Sequence, residues 1–251
     1  MKRIIAAIAL VTLSSAAASA ADMPAKVYTK APVLAPIYNW TGFYVGGHVG
    51  YGWGSESWTR IAGSGGEAGN GTVRSFNLDG ALAGGQIGFN YQVSQWVFGI
   101  EGEMSWSGVG GGLAGTNNNG PASWNTDVNW IGTLTGRIGY AFDRSLLYVK
   151  GGGAWADNDY NHPATGGQLQ ALLYTGSATR SGWLVGAGFE YGFTPNWSAK
   201  IEYNYIDFGT QRITLNEPGG RWVTFDSDQN IQTVKLGVNY RFGGGPVVAK
   251  Y

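Results

Sequence analysis

The chain has 251 residues, of which 43 are glycine and none is cysteine, and its 16 basic side chains equal its 16 acidic ones. Zero net charge without a basic block argues against nucleic-acid binding. The absence of cysteine excludes a disulfide framework, a cysteine zinc site and a cysteine nucleophile. Hydrophobic residues make up 43% of the chain and charged ones only 13%. Low net charge together with 14% aromatic residues argues against a disordered chain. Yet the body of the chain shows no long apolar run, so an ordinary soluble core does not account for its apolar residues.

The first residues predict export from the cytoplasm. A basic start at residues 1–3, an apolar run at residues 4–13 and the small-residue site ending at Ala20 are typical of a secretory signal peptide. The apolar run is shorter than the roughly 20 residues that a spanning helix needs. We therefore predict a signal peptide over residues 1–20. Residues 21–39, which carry three prolines, predict an extended periplasmic linker.

From Trp40 onward the sequence alternates with period two, which indicates strands with two different faces. Phe43, Val45 and Val49, for example, alternate with small or polar residues. Eight segments share this pattern. They are residues 43–53, 86–91, 96–106, 128–140, 147–155, 183–191, 197–205 and 233–242.

A soluble sandwich and a transmembrane barrel both fit alternating strands, and the aromatic residues favour the barrel. Phe43 and Trp53 lie about ten residues apart, which is roughly 34 Å along a strand and roughly 25 Å when the strand tilts by about 40°. That is the height of a lipid-facing band between two aromatic girdles. The predicted girdle residues are Phe43, Tyr51, Trp53, Trp96, Trp106, Trp130, Tyr140, Trp155, Trp183, Tyr191, Trp197, Tyr205, Tyr240 and Phe242.

The connections also alternate in length, as they do in outer-membrane barrels. Residues 92–95, 141–145 and 192–196 predict tight turns. Residues 54–74, 107–127, 156–180 and 209–230 predict long external loops. The fold class is therefore all-β: an eight-stranded antiparallel transmembrane β-barrel in up-and-down order. It occupies residues 40–242 and is followed by a short tail at residues 243–251.

The charges within the strands fall on the face opposite the aromatic residues. Eight strands enclose an interior about filled by side chains, where charges must pair or be hydrated. We predict a structural ion-pair plug, with a narrow pore lined by the same residues as the alternative. The predicted lumen charges are Glu101, Glu103, Arg137, Lys150, Glu190, Lys200, Glu202, Lys235 and Arg241.

Several motifs resemble those of a known family. Tyr-Asn-Trp-Thr-Gly-Phe-Tyr-Val-Gly-Gly at residues 38–47, Thr-Gly-Arg-Ile-Gly-Tyr at 135–140 and Val-Asn-Tyr-Arg-Phe at 238–242 are similar to motifs of the small major outer-membrane proteins of alphaproteobacteria. That family includes surface antigens and some hemin-binding, porin-like proteins. The resemblance implies a Gram-negative outer membrane, contact with its lipid and lipopolysaccharide, and insertion by the barrel-assembly machinery.

The resemblance also implies an assembly signal at the end of the last strand. Its residues are Leu236, Gly237, Val238, Tyr240 and Phe242. The family's signal ends the chain, whereas here residues 243–251 follow it. Either Phe242 or Tyr251 is therefore the terminal aromatic residue that is read.

Residues with catalytic chemistry are scarce. His48 and His162 are the only histidines, and no motif marks a nucleophile beside either. We therefore predict no enzymatic activity, no metal site and no cofactor, with hemin kept as an alternative. The predicted role is envelope integrity and surface exposure. A porin-like channel for small solutes and binding of hemin or a host ligand by the loops are alternatives, and a homo-oligomer stays open.

Overall fold

The computed structural model describes residues 38–64, 71–117, 119–165 and 171–242. The predicted signal peptide, most of the predicted linker and the tail lie outside the described residues. Within these ranges, no helix is long and apolar enough to cross a membrane.

Eight antiparallel strands form a closed ring in chain order, with β1 paired to β8. The predicted fold class is confirmed. Closure pairs the backbone of the first and last strands, which lipid could not hydrate. The strands are β1 (Gly42–Gly63), β2 (Val73–Val93), β3 (Trp96–Asn117), β4 (Gly120–Phe142), β5 (Ser145–Thr165), β6 (Ala171–Gly192), β7 (Trp197–Asn216) and β8 (Trp222–Arg241).

The tight turns lie at the end of the barrel where β1 begins and β8 finishes. Ser94 and Asp143 have φ values of 56° and 53°, and each opens a two-residue connection between neighbouring strands. A positive φ at this position gives the twist that joins two antiparallel strands closely. The turns at this end are short and both strand termini meet there, as on the periplasmic side of outer-membrane barrels.

The prediction of four long external loops is largely wrong. Each strand is 20–23 residues long, and most of residues 54–74, 107–127, 156–180 and 209–230 belong to strands. A strand of about 22 residues, tilted by about 40°, rises roughly 57 Å, against about 25 Å for the lipid band. The barrel wall therefore continues far beyond the membrane on the external side.

The sequence pattern does not reveal the strands of this upper wall because their apolar residues stand at the inward positions, whereas in the membrane band they stand at the outward ones. On β1, Trp53 faces outward, whereas Trp58, further along, is fully buried inside. On β2, Phe76 and Leu78 are buried, while Asp79 is exposed. Where the outside medium changes from lipid to water, the apolar side chains move to the interior. Polar, glycine-rich outer faces then give the sequence the appearance of loops.

One strand face was also misassigned. Val128 shares the period-two phase of Trp130 and Tyr140, which predicts it on the lipid-facing side of the fourth strand, but it is buried in the interior. The pairing of β4 with β5 shifts between Val128 and Trp130. This bulge turns Asn129 outward and reverses the alternation on its far side.

Trp58 tests the apolar core of the upper wall. Its ring lies 5.0 Å from that of Phe225, 5.7 Å from Tyr160 and 6.1 Å from Phe76. Trp58→Ala should destabilise the barrel by about 3–5 kcal/mol through the cavity it leaves. The measurement is the temperature at which the compact, fast-migrating band disappears in SDS electrophoresis. Trp222→Ala is the matched control because Trp222 is 40% exposed. Equal losses in the two variants would contradict a packed interior above the membrane.

Candidate functional site

The structure places all nine predicted lumen charges inside the barrel, each with 6% or less of its surface exposed. They lie on β3 to β8, on the face turned away from the lipid. Eight of them are joined by ion pairs into one interior network, which we call the ion network. Arg241 lies apart from it, beside Tyr38 and Trp40.

The centre of the ion network joins three strands across the lumen. Lys150 Nζ lies 2.9 Å from Glu101 Oε1 and 2.8 Å from Glu202 Oε1. Lys200 Nζ lies 3.1 Å from the other oxygen of Glu101 and 3.5 Å from Glu202 Oε2. Lys235 pairs with Glu103 beside them. Three acids and three bases neutralise one another here, as burial of charge in a low-dielectric interior requires.

Arg137 extends the ion network toward the periplasmic end. Its guanidinium lies 4.8 Å from the ring centre of Tyr44 and 5.1 Å from that of Tyr148, so it is sandwiched between two aromatic faces. Its Nη1 lies 3.4 Å from Glu190 Oε2. Tyr44 donates to Glu101 at 3.0 Å, which ties the aromatic pair to the central cluster.

Sequence reasoning missed these two tyrosines as members of the network, although both stand on the polar phase of their strands. Inward glycines make room for them. A Cβ at Gly88 would overlap the Tyr44 hydroxyl, and one at Gly188 would overlap the Tyr148 ring. Tyr148 donates to Glu202 at 2.8 Å. Part of the glycine excess is therefore interior space for large side chains.

The periplasmic mouth is closed by the segment before β1. Arg241 lies 4.4 Å from the ring centre of Tyr38 and 5.4 Å from that of Trp40, and donates to the Pro195 carbonyl at 2.7 Å. Trp40 is 1% exposed, and its backbone N–H donates to Gln92 Oε1 at 2.7 Å. Burial raises the pKa of Tyr38. Tyr38 thus packs in the mouth, although the prediction assigned it to the linker.

A second buried polar group lies within the apolar interior of the upper wall. Arg180 donates to Ser227 Oγ at 2.8 Å and to the Gly209 carbonyl at 2.6 Å, with Glu56 at 3.7 Å. The β6–β7 pairing is interrupted between Thr175 and Trp183, and the bond to Gly209 crosses this interruption. No sequence signal pointed to this pair because both its members lay in predicted loops.

The two histidines are fixed by contacts inside the wall. His48 Nδ1 lies 2.7 Å from Gln86 Oε1 and its Nε2 lies 2.8 Å from Ser105 Oγ. His162 lies in β5, whereas the sequence predicts it in a loop. Its ring is 5.1 Å from that of Trp124, and its Nδ1 is 2.6 Å from the Ser123 carbonyl. Both rings are at most 7% exposed. Neither histidine fits as an accessible ligand for hemin iron.

All fourteen predicted girdle residues face outward. Eleven are exposed, and Trp130, Tyr205 and Tyr240 are half-buried. In the segment predicted as the assembly signal, Leu236 and Val238 point outward and Gly237 points inward. Phe242 follows β8 directly, and its N–H donates to the Phe43 carbonyl at 2.8 Å. Tyr251 lies outside the described residues.

A closed wall with an apolar outer band, aromatic rims and a charged interior defines a transmembrane β-barrel of the outer-membrane class. Residues 6–242 match the family described as "Outer membrane protein beta-barrel domain". The chain belongs to this family and is an outer-membrane protein of a Gram-negative bacterium.

Named relatives agree with this assignment. The chain is 30% identical over 250 residues to the 31 kDa outer-membrane immunogenic protein of Brucella melitensis, covering 96% of this chain and 100% of the relative. It is 29% identical over 215 residues to the 22 kDa outer membrane protein of Rhizobium leguminosarum bv. viciae, covering 85% and 82%. These relatives place the chain among small outer-membrane proteins of alphaproteobacteria, and neither name describes an enzyme.

The fold is similar to that of a solved outer-membrane protein. OprG from Pseudomonas aeruginosa matches with a TM-score of 0.51 and 12% identity, covering 82% of this chain and 99% of that one. This similarity shows a shared fold.

Lys150 tests the ion network. Lys150→Met leaves Glu101 and Glu202 with one cation fewer in a buried site, which should cost about 3–5 kcal/mol. The thermal loss of the compact SDS band should therefore move to a clearly lower temperature. Arg212→Met is the matched control, since Arg212 pairs with Asp226 while its own side chain is 64% exposed. An unchanged transition in Lys150→Met would contradict a structural network.

Proposed function

We propose that this protein is a sealed structural barrel that anchors a rigid, surface-exposed β-wall in the outer membrane. One observation carries the proposal: the interior is filled at three successive levels. Tyr38 and Trp40 close the periplasmic mouth, and the ion network fills the membrane level. A cluster of buried apolar side chains around Trp58 fills the upper wall.

The porin-like alternative would need a continuous hydrated path. The side chains of Glu101, Lys150 and Lys200 are at most 1% exposed, and their ion pairs span the lumen from β3 to β7. Opening a path would require separating paired charges in a low-dielectric interior, which is strongly unfavourable. The packed, largely apolar level above adds a second barrier. These features support a structural role over solute passage.

Planar bilayers test this directly. Purified protein should give no conductance steps over a wide range of salt concentrations. The double variant Arg137→Ala and Lys150→Ala removes two large cationic side chains from the network and is the positive control. Conductance by this variant shows that the barrel inserts into the bilayer. Regular steps from the wild type would overturn the sealed barrel.

The upper wall suits exposure at the cell surface. Part of its outward face is small and polar, as at Ser177, Thr179 and Ser181 on β6, all exposed. The 25 kDa and 31 kDa Brucella relatives are named as immunogenic, which supports a surface role here. The proposal also places lipid and lipopolysaccharide against the outward band, and the barrel-assembly machinery at the end of β8.

A peptide tag inserted in the turn after β7, between Pro218 and Gly219, tests surface exposure. An antibody to the tag should label intact cells, because this turn lies at the end opposite the periplasmic turns. The same tag placed between Thr194 and Pro195 should be labelled only after the outer membrane is permeabilised. Reversed labelling would invert the proposed orientation.

The contacts of the two histidines also support the absence of catalysis and of hemin binding. A triad needs a histidine that can exchange protons with both a nucleophile and substrate in an accessible site. His48 is held between Gln86 and Ser105 in the filled lumen. His162 is stacked between Trp124 and Tyr174.

A further inference from the structure

The lipid-facing wall carries a groove of about 580 Å³, within the size range of ligand pockets. It crosses β1 to β5 between the aromatic girdles. Its sides are the apolar side chains of Val45, Ile87, Met104, Trp130 and Trp155. Its floor includes Gly85, Gly102 and Gly132.

Two of the floor glycines, Gly102 and Gly132, differ from those of the interior. A Cβ at interior Gly88 or Gly188 would overlap a neighbouring side chain. A Cβ at Gly102 would meet nothing within 4 Å, and one at Gly132 would meet its nearest atom at 3.5 Å. Neither has a positive φ. Glycine weakens a strand interior, and packing does not require it at these two positions. The effect of the two glycines is to form the groove.

The groove is confined to one side of the barrel. Outward glycines in the lipid band occur on β1 to β5, whereas the outward positions of β6 to β8 at the same level carry larger residues such as Phe189, Ile201 and Leu236. Nonspecific lipid contact would not distinguish the two sides. One half of the wall is therefore shaped for an elongated apolar object.

Two carboxylates lie just above the upper end of the groove. Asp157 is the strand neighbour of Trp130 and lies two residues beyond Trp155. Asn129 Nδ2 donates to Asp157 at 3.2 Å and to Asp159 at 3.0 Å, which holds the two acids side by side on the outer face. Among the described residues, no basic side chain forms an ion pair with either.

We propose that this groove binds the hydrocarbon chain of a membrane amphiphile whose cationic headgroup lies against Asp157 and Asp159. The position fixes the occupant's chemistry. The groove faces hydrocarbon, and its upper end meets the Trp130 and Trp155 rings at the interface. At headgroup level beyond them lie two carboxylates that form no ion pair with a basic side chain among the described residues. An ammonium headgroup complements that charge, whereas a phosphate or carboxylate headgroup would be repelled.

Electron paramagnetic resonance of spin-labelled amphiphiles tests the proposal. The refolded protein is placed in phosphatidylcholine vesicles with nitroxide-labelled octadecylammonium, and separately with nitroxide-labelled octadecanoate. The association constant obtained from the motionally restricted fraction should be about two- to fivefold larger for the ammonium probe than for octadecanoate. This is the difference expected for a partly exposed ion pair.

Two variants separate the chain from the headgroup. Gly102→Leu with Gly132→Leu fills the groove, and should lower the restricted fraction of both probes. Asp157→Asn with Asp159→Asn should remove the preference for the ammonium probe while the restricted chains remain. Gly136→Leu is the matched control, because Gly136 is an outward glycine with nothing within 4 Å of its Cβ and lies outside the groove. It should behave as the wild type.

An unchanged spectrum in the filled variant, or an equal loss in Gly136→Leu, would overturn the proposal. All variants are first checked for the compact SDS band, so that misfolding is not read as loss of binding. Sedimentation in detergent identifies the other occupant. If filling the groove converts a dimer to a monomer, a second copy of the chain occupies it and the amphiphile is wrong.

Discussion

The need to pair every backbone N–H and C=O inside lipid governs this molecule. A strand that crosses the bilayer has no water to complete its hydrogen bonds, so the sheet must close on itself. Eight strands close into a ring whose interior side chains can fill, and β1 meets β8 from Tyr44 to Gly63. Once the wall is closed, each side chain faces one of only two environments, and the remaining structure follows from what those environments are at each height.

Inside the membrane band, the interior is the polar side, and its charges are neutralised in place. Replacing such a network by apolar residues can be neutral for stability. Here, however, an apolar interior behind an apolar exterior would leave the strands with two equivalent faces. Slipping a strand by one residue would then carry little penalty, whereas burying Glu101 and Lys150 sets the register firmly. The ion network therefore specifies which face of each strand is which.

The same reasoning explains how much the sequence could predict. Within residues 43–53 and their seven counterparts, period two identified strands, faces and lumen charges, because lipid imposes a strict contrast. Above Trp53 the contrast reverses, so that Trp58 faces inward and Asp79 outward. A pattern of one fixed phase does not continue through that reversal, and the reversed segments therefore resemble loops. Glu56 and Arg180 lie 124 positions apart, and only the closed ring brings them together. The bulge beside Asn129 has no local signal either.

Glycine has two physical uses in this wall, and composition alone merges them. Interior glycines are required, because large polar side chains such as Tyr44 and Tyr148 occupy the volume that a Cβ would take. Outward glycines such as Gly102 border open space, so the fold does not demand them. Lipid chains adapt to any smooth surface and do not by themselves favour a groove. A depression that costs strand stability and ends beneath Asp157 is therefore better explained by what binds there than by how the barrel folds.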